Sequence, residues 1–109
     1  MYTQEYFTVG DQTNKTDVKI AVLNKAKRFI RAINHPLRRK ILELISERPG
    51  IKVTEIYVKL RIEQSVASQH LGILRNAKCV RAERDGKKQH YYVEVSKIAS
   101  NMDALRNLV

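Results

Sequence analysis

An Asp-Gly pair at residues 85–86 constrains the fold more than any other feature of this sequence. It lies between two strand-like segments, Cys79 to Glu83 and Gln89 to Val95, of which the second alternates in side-chain character. Asp-Gly favours a two-residue hairpin, because a type I′ turn needs positive φ angles. Upstream of residue 79 the apolar residues recur at helical spacing instead. The chain is therefore predicted to be mainly α-helical with one small β-hairpin near its end.

Four helices are predicted before the hairpin. Asp17 is a candidate N-cap for the first, and Pro36 suits the first turn of the second, with Asn34 or His35 as its cap. The third spans Val53 to Leu60, and the fourth runs from about Gln64 to Lys78 after a connection of about three residues. The order of short helix, tight turn, longer helix and hairpin predicts a winged helix-turn-helix.

The remaining segments complete one domain. Residues 1–16 lack a clear period and are predicted to form a loose N-terminal arm. Ser96 is a candidate cap for a fifth helix, whose apolar stripe includes Ile98, Met102 and Leu105. A chain of 109 residues fits a single core, so we assign residues 17–109 to one winged-helix domain of about five helices and a two-stranded wing.

Charge is the strongest bulk signal of function. The chain has 21 Lys and Arg against 11 Asp and Glu, a formal net charge of +10. Such an excess opposes folding by self-repulsion and favours a polyanionic partner. No apolar run approaches the roughly 18 residues of a membrane span, and residues 1–14 are too polar for a signal peptide. With Cys79 as the only cysteine, we expect a cytoplasmic protein without membrane contact.

The start of the fourth helix carries the residues predicted to read DNA. The major groove admits one α-helix, and the second helix of a helix-turn-helix enters it with its N-terminal residues. Those residues need short polar side chains that donate and accept hydrogen bonds, a description that fits Gln64, Ser65, Ser68 and Gln69. The predicted partner is double-stranded DNA.

Basic residues around this helix are predicted to contact the DNA backbone. On the wing these are Arg81, Arg84, Lys87 and Lys88, a set suited to phosphates or to the minor groove. On the fourth helix, Arg75 is a phosphate candidate. His70 is also a candidate for a phosphate contact, although a lone histidine is equally well interpreted as a residue packed within the domain.

The segment from Ala32 to Val95 resembles the ArsR/SmtB family of winged-helix repressors. AINHPLRRKILELI is similar to the opening of the family pattern. SVASQHLGIL is similar to its reading helix, with Ser65, Ser68, His70, Leu71 and Leu74 in step, and RAERDGKKQHYYV is similar to its wing. The three motifs occur in the order found in the family.

The resemblance implies a homodimer, in which the first and last helices pair across a two-fold axis. The residues assigned to this interface on that basis are Val22, Ala26, Phe29, Ile30, Ile98, Met102 and Leu105. Two-fold symmetry places two reading helices about one DNA turn or a multiple apart, which predicts a palindromic operator. The resemblance also implies repression that an inducer relieves, and the sequence does not identify that inducer.

The sequence departs from the family pattern where relatives sense metals. Lys52-Val53-Thr54 stands in place of a Cys-Val-Cys-like motif, and neither Lys52 nor Thr54 is a soft-metal ligand. Other members of the family bind zinc through Asp and His of their last helices, but the last helix here has Asp103 and no histidine. We therefore expect no metal and no cofactor. Redox sensing is disfavoured because the chain has no second cysteine with which Cys79 could pair. The simpler interpretation of Cys79 is a small buried residue of the core.

The sequence also bears on two other classes of function. A winged-helix module that binds a protein partner or RNA, rather than an operator, remains the alternative. An enzyme is not expected, because the sequence contains no nucleophile elbow, phosphate-binding glycine loop, HExxH pair or clustered carboxylates.

Overall fold

Five helices and a three-stranded antiparallel sheet form the domain. A computed structural model describes the backbone of residues 11–108 and the side chains of residues 20–107. The elements are α1 (Asp11–Ile33), α2 (Pro36–Glu47), β1 (Ile51–Lys52), α3 (Val53–Leu60), α4 (Gln64–Asn76), β2 (Val80–Asp85), β3 (Lys88–Val93) and α5 (Val95–Leu108). The predicted winged helix-turn-helix is confirmed. In the described part of the chain no helix is long and apolar enough to cross a membrane.

The start of α2 follows the prediction closely. His35 is the N-cap, and its Nδ1 accepts a hydrogen bond from the Leu37 backbone N–H at 3.2 Å. Pro36 occupies the first turn, where its missing N–H leaves no helical bond unmade. The third helix also has its predicted bounds, Val53–Leu60.

The sheet has one strand more than predicted. Strand β3 lies in the centre and pairs with β2 on one side and with the two-residue β1 on the other. Strand β1 was not predicted because its two residues are too few to show the alternation of apolar and polar side chains that indicates a strand. The loop of the β2–β3 hairpin consists of Gly86 and Lys87, since Asp85 pairs with Lys88. Gly86, the first loop residue, has φ +65°, which indicates a type II′ turn in place of the expected type I′.

Buried side chains from α1 to β3 form one core. Its largest fully buried members are Phe29, Ile41, Ile45, Ile56, Leu71, Leu74 and Cys79. Ala67, Leu71 and Leu74 form the inner side of α4, and all three are at most 1% exposed. This inner side fixes which face of α4 remains exposed to solvent.

Three predicted helix boundaries were wrong, and the strands, predicted as Cys79 to Glu83 and Gln89 to Val95, span Val80–Asp85 and Lys88–Val93. Helix α1 begins at Asp11, not at Asp17, so residues 11–16 are not part of a loose arm. Those six residues contain no apolar side chain, and periodicity detects only helices with an apolar face. Helix α5 begins at Val95, because the Ile98 N–H bonds to the Glu94 carbonyl. Helix α4 ends at Asn76, where Lys78 turns the chain with φ +63°. The predictions for residues 1–10 and Val109 lie outside the described residues.

The seven residues predicted to form a dimer interface divide into three groups by exposure. Ala26 and Phe29 are 3% and 1% exposed in the single chain, so assigning them to the interface was wrong. Contacts between α1 and α5 within one chain, together with α2, close the core on this side. Val22, Ile98 and Leu105 are half-buried. Of these seven residues, only Ile30 and Met102 are exposed, at 43% and 44%.

Candidate nucleic-acid interface

A three-residue turn joins α3 to α4 and sets the angle between them. Arg61 takes the left-handed conformation, with φ +56°, and the Ile62 N–H bonds back to the Tyr57 carbonyl at 3.0 Å. Glu63 is extended and is the N-cap residue of α4, and its carbonyl accepts from the Ala67 N–H. Because a non-glycine residue in this conformation costs about 1 kcal/mol, packing of α3 against α4 must hold it there.

The structure places the four predicted base-reading residues on the outer face of α4. Gln64, Ser65, Ser68 and Gln69 are all exposed, whereas Ala67 between them is fully buried. All four lie in the first two turns of the helix, where a major-groove helix contacts base edges. Gly72 continues the same face, and a Cβ added to it would meet no atom within 4 Å. The outer face of α4 is thus polar at its start and open further along.

The wing tip presents three cationic side chains to solvent. Arg84, Lys87 and Lys88 are exposed. Within the described residues none of them takes part in an ion pair. Phosphate contacts come mainly from such side chains, so the tip suits a polyanion.

Arg81 differs from the residues of the wing tip. Its Nε donates to Glu83 Oε2 at 3.1 Å and its Nη1 to Glu94 Oε1 at 3.2 Å. The guanidinium carbon also lies 4.5 Å from the centroid of the Tyr92 ring. The hydrogen bond to Glu83, supported by the one to Glu94, raises the pKa of Arg81. Its charge is therefore already compensated within the domain.

A third lysine lies beside the wing tip, and sequence reasoning missed it. Lys52 precedes α3, and pairing of β1 with β3 brings it next to the hairpin. A hollow of about 110 Å³ is lined by Lys52, Val53, Thr54, Lys87, Lys88 and Gln89. In the sequence Lys52 stands out only as a residue that cannot bind a soft metal. Its position relative to the wing depends on a pairing across about 40 residues, which no local pattern shows.

An open groove runs between the second half of α4 and the edge strand β2. It encloses about 530 Å³, and its basic residues are Arg75, Lys78 and Arg81, opposed by Glu94. Arg75 is exposed, at the end of the helix that carries the predicted reading residues. The groove thus continues the cationic surface of the wing toward α4.

His70 faces inward, away from the exposed residues of α4. Its Nδ1 accepts a hydrogen bond from Arg38 Nε at 3.2 Å, and its ring centroid lies 4.8 Å from that of His35. Burial lowers the pKa of His70, and the charges of His35 and Arg38 lower it further. The ring therefore packs between α2 and α4 in its neutral form.

Cys79 lies in the core, as expected. Its side chain is fully buried, and burial raises the pKa of the thiol to about 11. Within the described residues there is no group of three or more His, Cys, Asp and Glu that is able to hold a metal ion.

The domain combines a helix-turn-helix formed by α3 and α4, an exposed polar start of α4 and a basic wing. Together these features define a winged helix-turn-helix DNA-binding domain. The model of the bacterial regulatory protein arsR family matches residues 35–81. Rv0081 of Mycobacterium tuberculosis, described as an uncharacterized HTH-type transcriptional regulator, is 35% identical over 81 residues, which cover 74% of this chain and 71% of the relative. The chain belongs to the ArsR family and is a DNA-binding transcriptional regulator.

Solved structures agree with this assignment. The crystal structure of Rv0081 aligns with a TM-score of 0.59 at 37% identity, over 73% of this chain and 80% of that one. The winged helix-turn-helix domain of Mb0332 from Mycobacterium bovis, described as homodimeric, aligns at 0.70 and 25% identity, over 84% of each chain. The transcriptional repressor PagR of Bacillus anthracis aligns at 0.64 and 27% identity, over 79% of this chain and 98% of PagR.

Proposed function

We propose that this regulator is a dimeric repressor that reads a palindromic operator with Gln64, Ser65, Ser68 and Gln69. The observation that carries the proposal is the exposed polar start of α4, flanked by an uncompensated cationic wing tip. Gln pairs with adenine through two hydrogen bonds, and Ser serves several bases, so the four side chains provide sequence readout. Arg75, Arg84, Lys87 and Lys88, with Lys52 beside them, provide phosphate contacts.

A dimer is proposed because one surface of α1 and α5 remains apolar and exposed. Ile20, Leu23 and Ile30 are 43–46% exposed and recur at helical spacing on α1, and Met102 of α5 is 44% exposed. Mb0332 is described as homodimeric, and PagR as a repressor, which supports both parts of the proposal. Two-fold symmetry then gives half-sites about 34 Å apart or a multiple of that.

The regulator is proposed to act by binding alone, without a metal, a cofactor or a catalysed reaction. Lys52 and Thr54 offer no soft ligand, and burial keeps the Cys79 thiol protonated at neutral pH. The proposed place of action is the cytoplasm, because the matching family is one of bacterial regulatory proteins, whose chromosomal DNA lies there. The inducer is not assigned.

Selection of bound sequences from a random DNA pool tests the proposal. We expect a palindromic consensus, and we expect Ser68→Ala and Gln69→Ala each to relax the preference by about 1–3 kcal/mol at one position of each half-site. Ser46→Ala is the matched control, since Ser46 is exposed on α2 and its hydroxyl donates only to the Glu43 carbonyl. Equal enrichment of all sequences, or tight binding of RNA in place of duplex DNA, would favour the alternative of a general interaction module.

A further inference from the structure

Arg38 connects three helices of the domain. It belongs to α2, and its Nη1 donates to the carbonyl oxygens of Arg31 at 2.8 Å and Ala32 at 3.2 Å, near the end of α1. Its Nε donates to His70 Nδ1 on α4 at 3.2 Å. A single planar guanidinium thus links α1, which bears the exposed apolar surface, to α4, which bears the reading residues.

The proton positions in this cluster follow from donor and acceptor chemistry. An arginine side chain donates only, so His70 Nδ1 must be without a proton to accept from it. The Leu37 backbone N–H also donates only, so His35 Nδ1 must be bare as well. Protonation of His70 at Nδ1 breaks its hydrogen bond and sets a new positive charge beside Arg38.

Among the described residues, no negative side chain acts on His70 to offset such a charge. The ionisable groups that do act on it are Arg38 of α2 and His35, the N-cap of that helix. From α1 the cluster receives the carbonyl oxygens of Arg31 and Ala32, which are already bonded to Arg38. The pKa of His70 is lowered from its ordinary value of about 6.5. The pKa of His70 is therefore lower in the folded protein than in the unfolded chain. The stability that depends on the unprotonated ring is fully present above about pH 6.5, and it is lost as the pH falls through the pKa of the folded protein.

We propose that Arg38 is a positioning residue for DNA reading, which holds α4 against α1 through an unprotonated His70, so that acidification weakens operator recognition. The inference rests on the proposed function, in which α4 reads the operator. When His70 is protonated, the bond to Arg38 is replaced by repulsion, and α4 loses its hydrogen-bonded link to α1, while the core contacts between the two helices remain. The four reading residues at the start of α4 then no longer hold a fixed position over the base edges.

The predicted direction is opposite to that of simple electrostatics. Protonated histidines add positive charge, which by itself tightens binding to DNA. His90 on the wing provides an internal contrast, because its Nδ1 lies 2.8 Å from the Gly50 carbonyl, an acceptor. That ring must donate, so its protonation preserves the hydrogen bond. Acid weakening of recognition therefore points to the Arg38 cluster rather than to histidines in general.

The test compares affinity for the selected operator with affinity for a scrambled duplex at about pH 7.5 and about pH 5.5, at constant ionic strength. The double variant His35→Ser/His70→Gln keeps an acceptor at both positions without a group that titrates in this range. Arg38→Lys keeps the charge but loses the planar fork. Arg39→Lys is its control, because the Arg39 guanidinium also bonds a carbonyl of α1, that of Ile33, but makes no hydrogen bond to a histidine ring among the described residues. His90→Gln is the control for histidine charge.

We expect the operator preference of the unaltered protein to fall by about tenfold at the lower pH, the effect of losing one hydrogen bond to a charged group. The double variant should keep its preference at both pH values. Arg38→Lys should have a reduced preference at both, and Arg39→Lys and His90→Gln should follow the unaltered protein. Equal acid loss in the double variant, or tighter specific binding in acid, overturns the proposal.

Amide hydrogen exchange of α4 without DNA separates the two proposals. Lower protection of the α4 amides in acid, after division by the intrinsic exchange rate at each pH, supports the role of the cluster if the double variant does not show it. If no operator preference exists, that absence refutes only the proposed function. Exchange that is equal in both proteins at both pH values refutes the role of Arg38 and His70 regardless of DNA binding.

Discussion

Replacing the three charges of the wing tip should lower the salt dependence of DNA binding by a calculable amount. Arg84, Lys87 and Lys88 are exposed and, among the described residues, without ion pairs. Each phosphate contact contributes about −0.9 to the log–log slope of affinity against salt. Changing all three to Gln should therefore reduce the slope by about 2.7 for one wing, and by about 5.4 for the two wings of a dimer.

Arg81→Gln is the comparison that makes this prediction specific. Arg81 is on the same strand as Arg84, but it already bonds to Glu83 and Glu94. Its loss should change the slope by less than about 0.9 per wing, although affinity falls because two carboxylates lose their partner.

The assay is fluorescence anisotropy with the operator duplex, repeated across a range of KCl concentrations. A thermal unfolding control comes first, and the triple variant should unfold like the unaltered protein, since exposed substitutions usually change stability by less than about 0.5 kcal/mol. A slope that the triple variant leaves unchanged, or that Arg81→Gln reduces as much, would refute the assignment of phosphate contacts to the wing tip.

Two further predictions concern the core and the dimer. The Cys79 thiol should react with iodoacetamide at least about a hundredfold more slowly in the folded protein than in urea at neutral pH, because its pKa is about 11 instead of about 9; equally fast labelling of the folded protein would restore the sensor hypothesis. Ile30→Glu should shift sedimentation toward monomer with little loss of stability, since Ile30 is exposed, whereas Phe29→Ala, one residue earlier but 1% exposed, should cost about 3–5 kcal/mol of unfolding free energy. An Ile30→Glu variant that remains fully dimeric would place the interface elsewhere.

Features that depend on neighbouring residues could be predicted from the sequence. The cap at His35, the proline at position 36 and the bounds of α3 follow from residues within one turn of each other. The glycine at position 86 indicated a tight hairpin loop, although not its turn type, which depends on whether Asp85 or Gly86 comes first in the loop.

Features that depend on distant pairing could not be predicted. The two residues of β1 form a strand only because β3 lies beside them, and this pairing brings Lys52 to the wing tip. The bond between Arg38 and His70 joins residues 32 positions apart. The sequence showed that His70 had two reasonable interpretations, but only the position of α2 decides that its Nδ1 faces a guanidinium.

The apolar stripe of α1 shows why a pattern does not identify a partner. Periodicity indicated that Ala26, Phe29 and Ile30 lie on an apolar side, and all three were assigned to the dimer. In the fold the first two are covered by the same chain, while Ile30 is not. Two adjacent residues on a helix differ in direction by about 100°, enough to place Phe29 in the core and Ile30 at the surface. An interface prediction for a small domain therefore needs the intrachain packing first, because only the apolar area left exposed by the core is available to a second subunit.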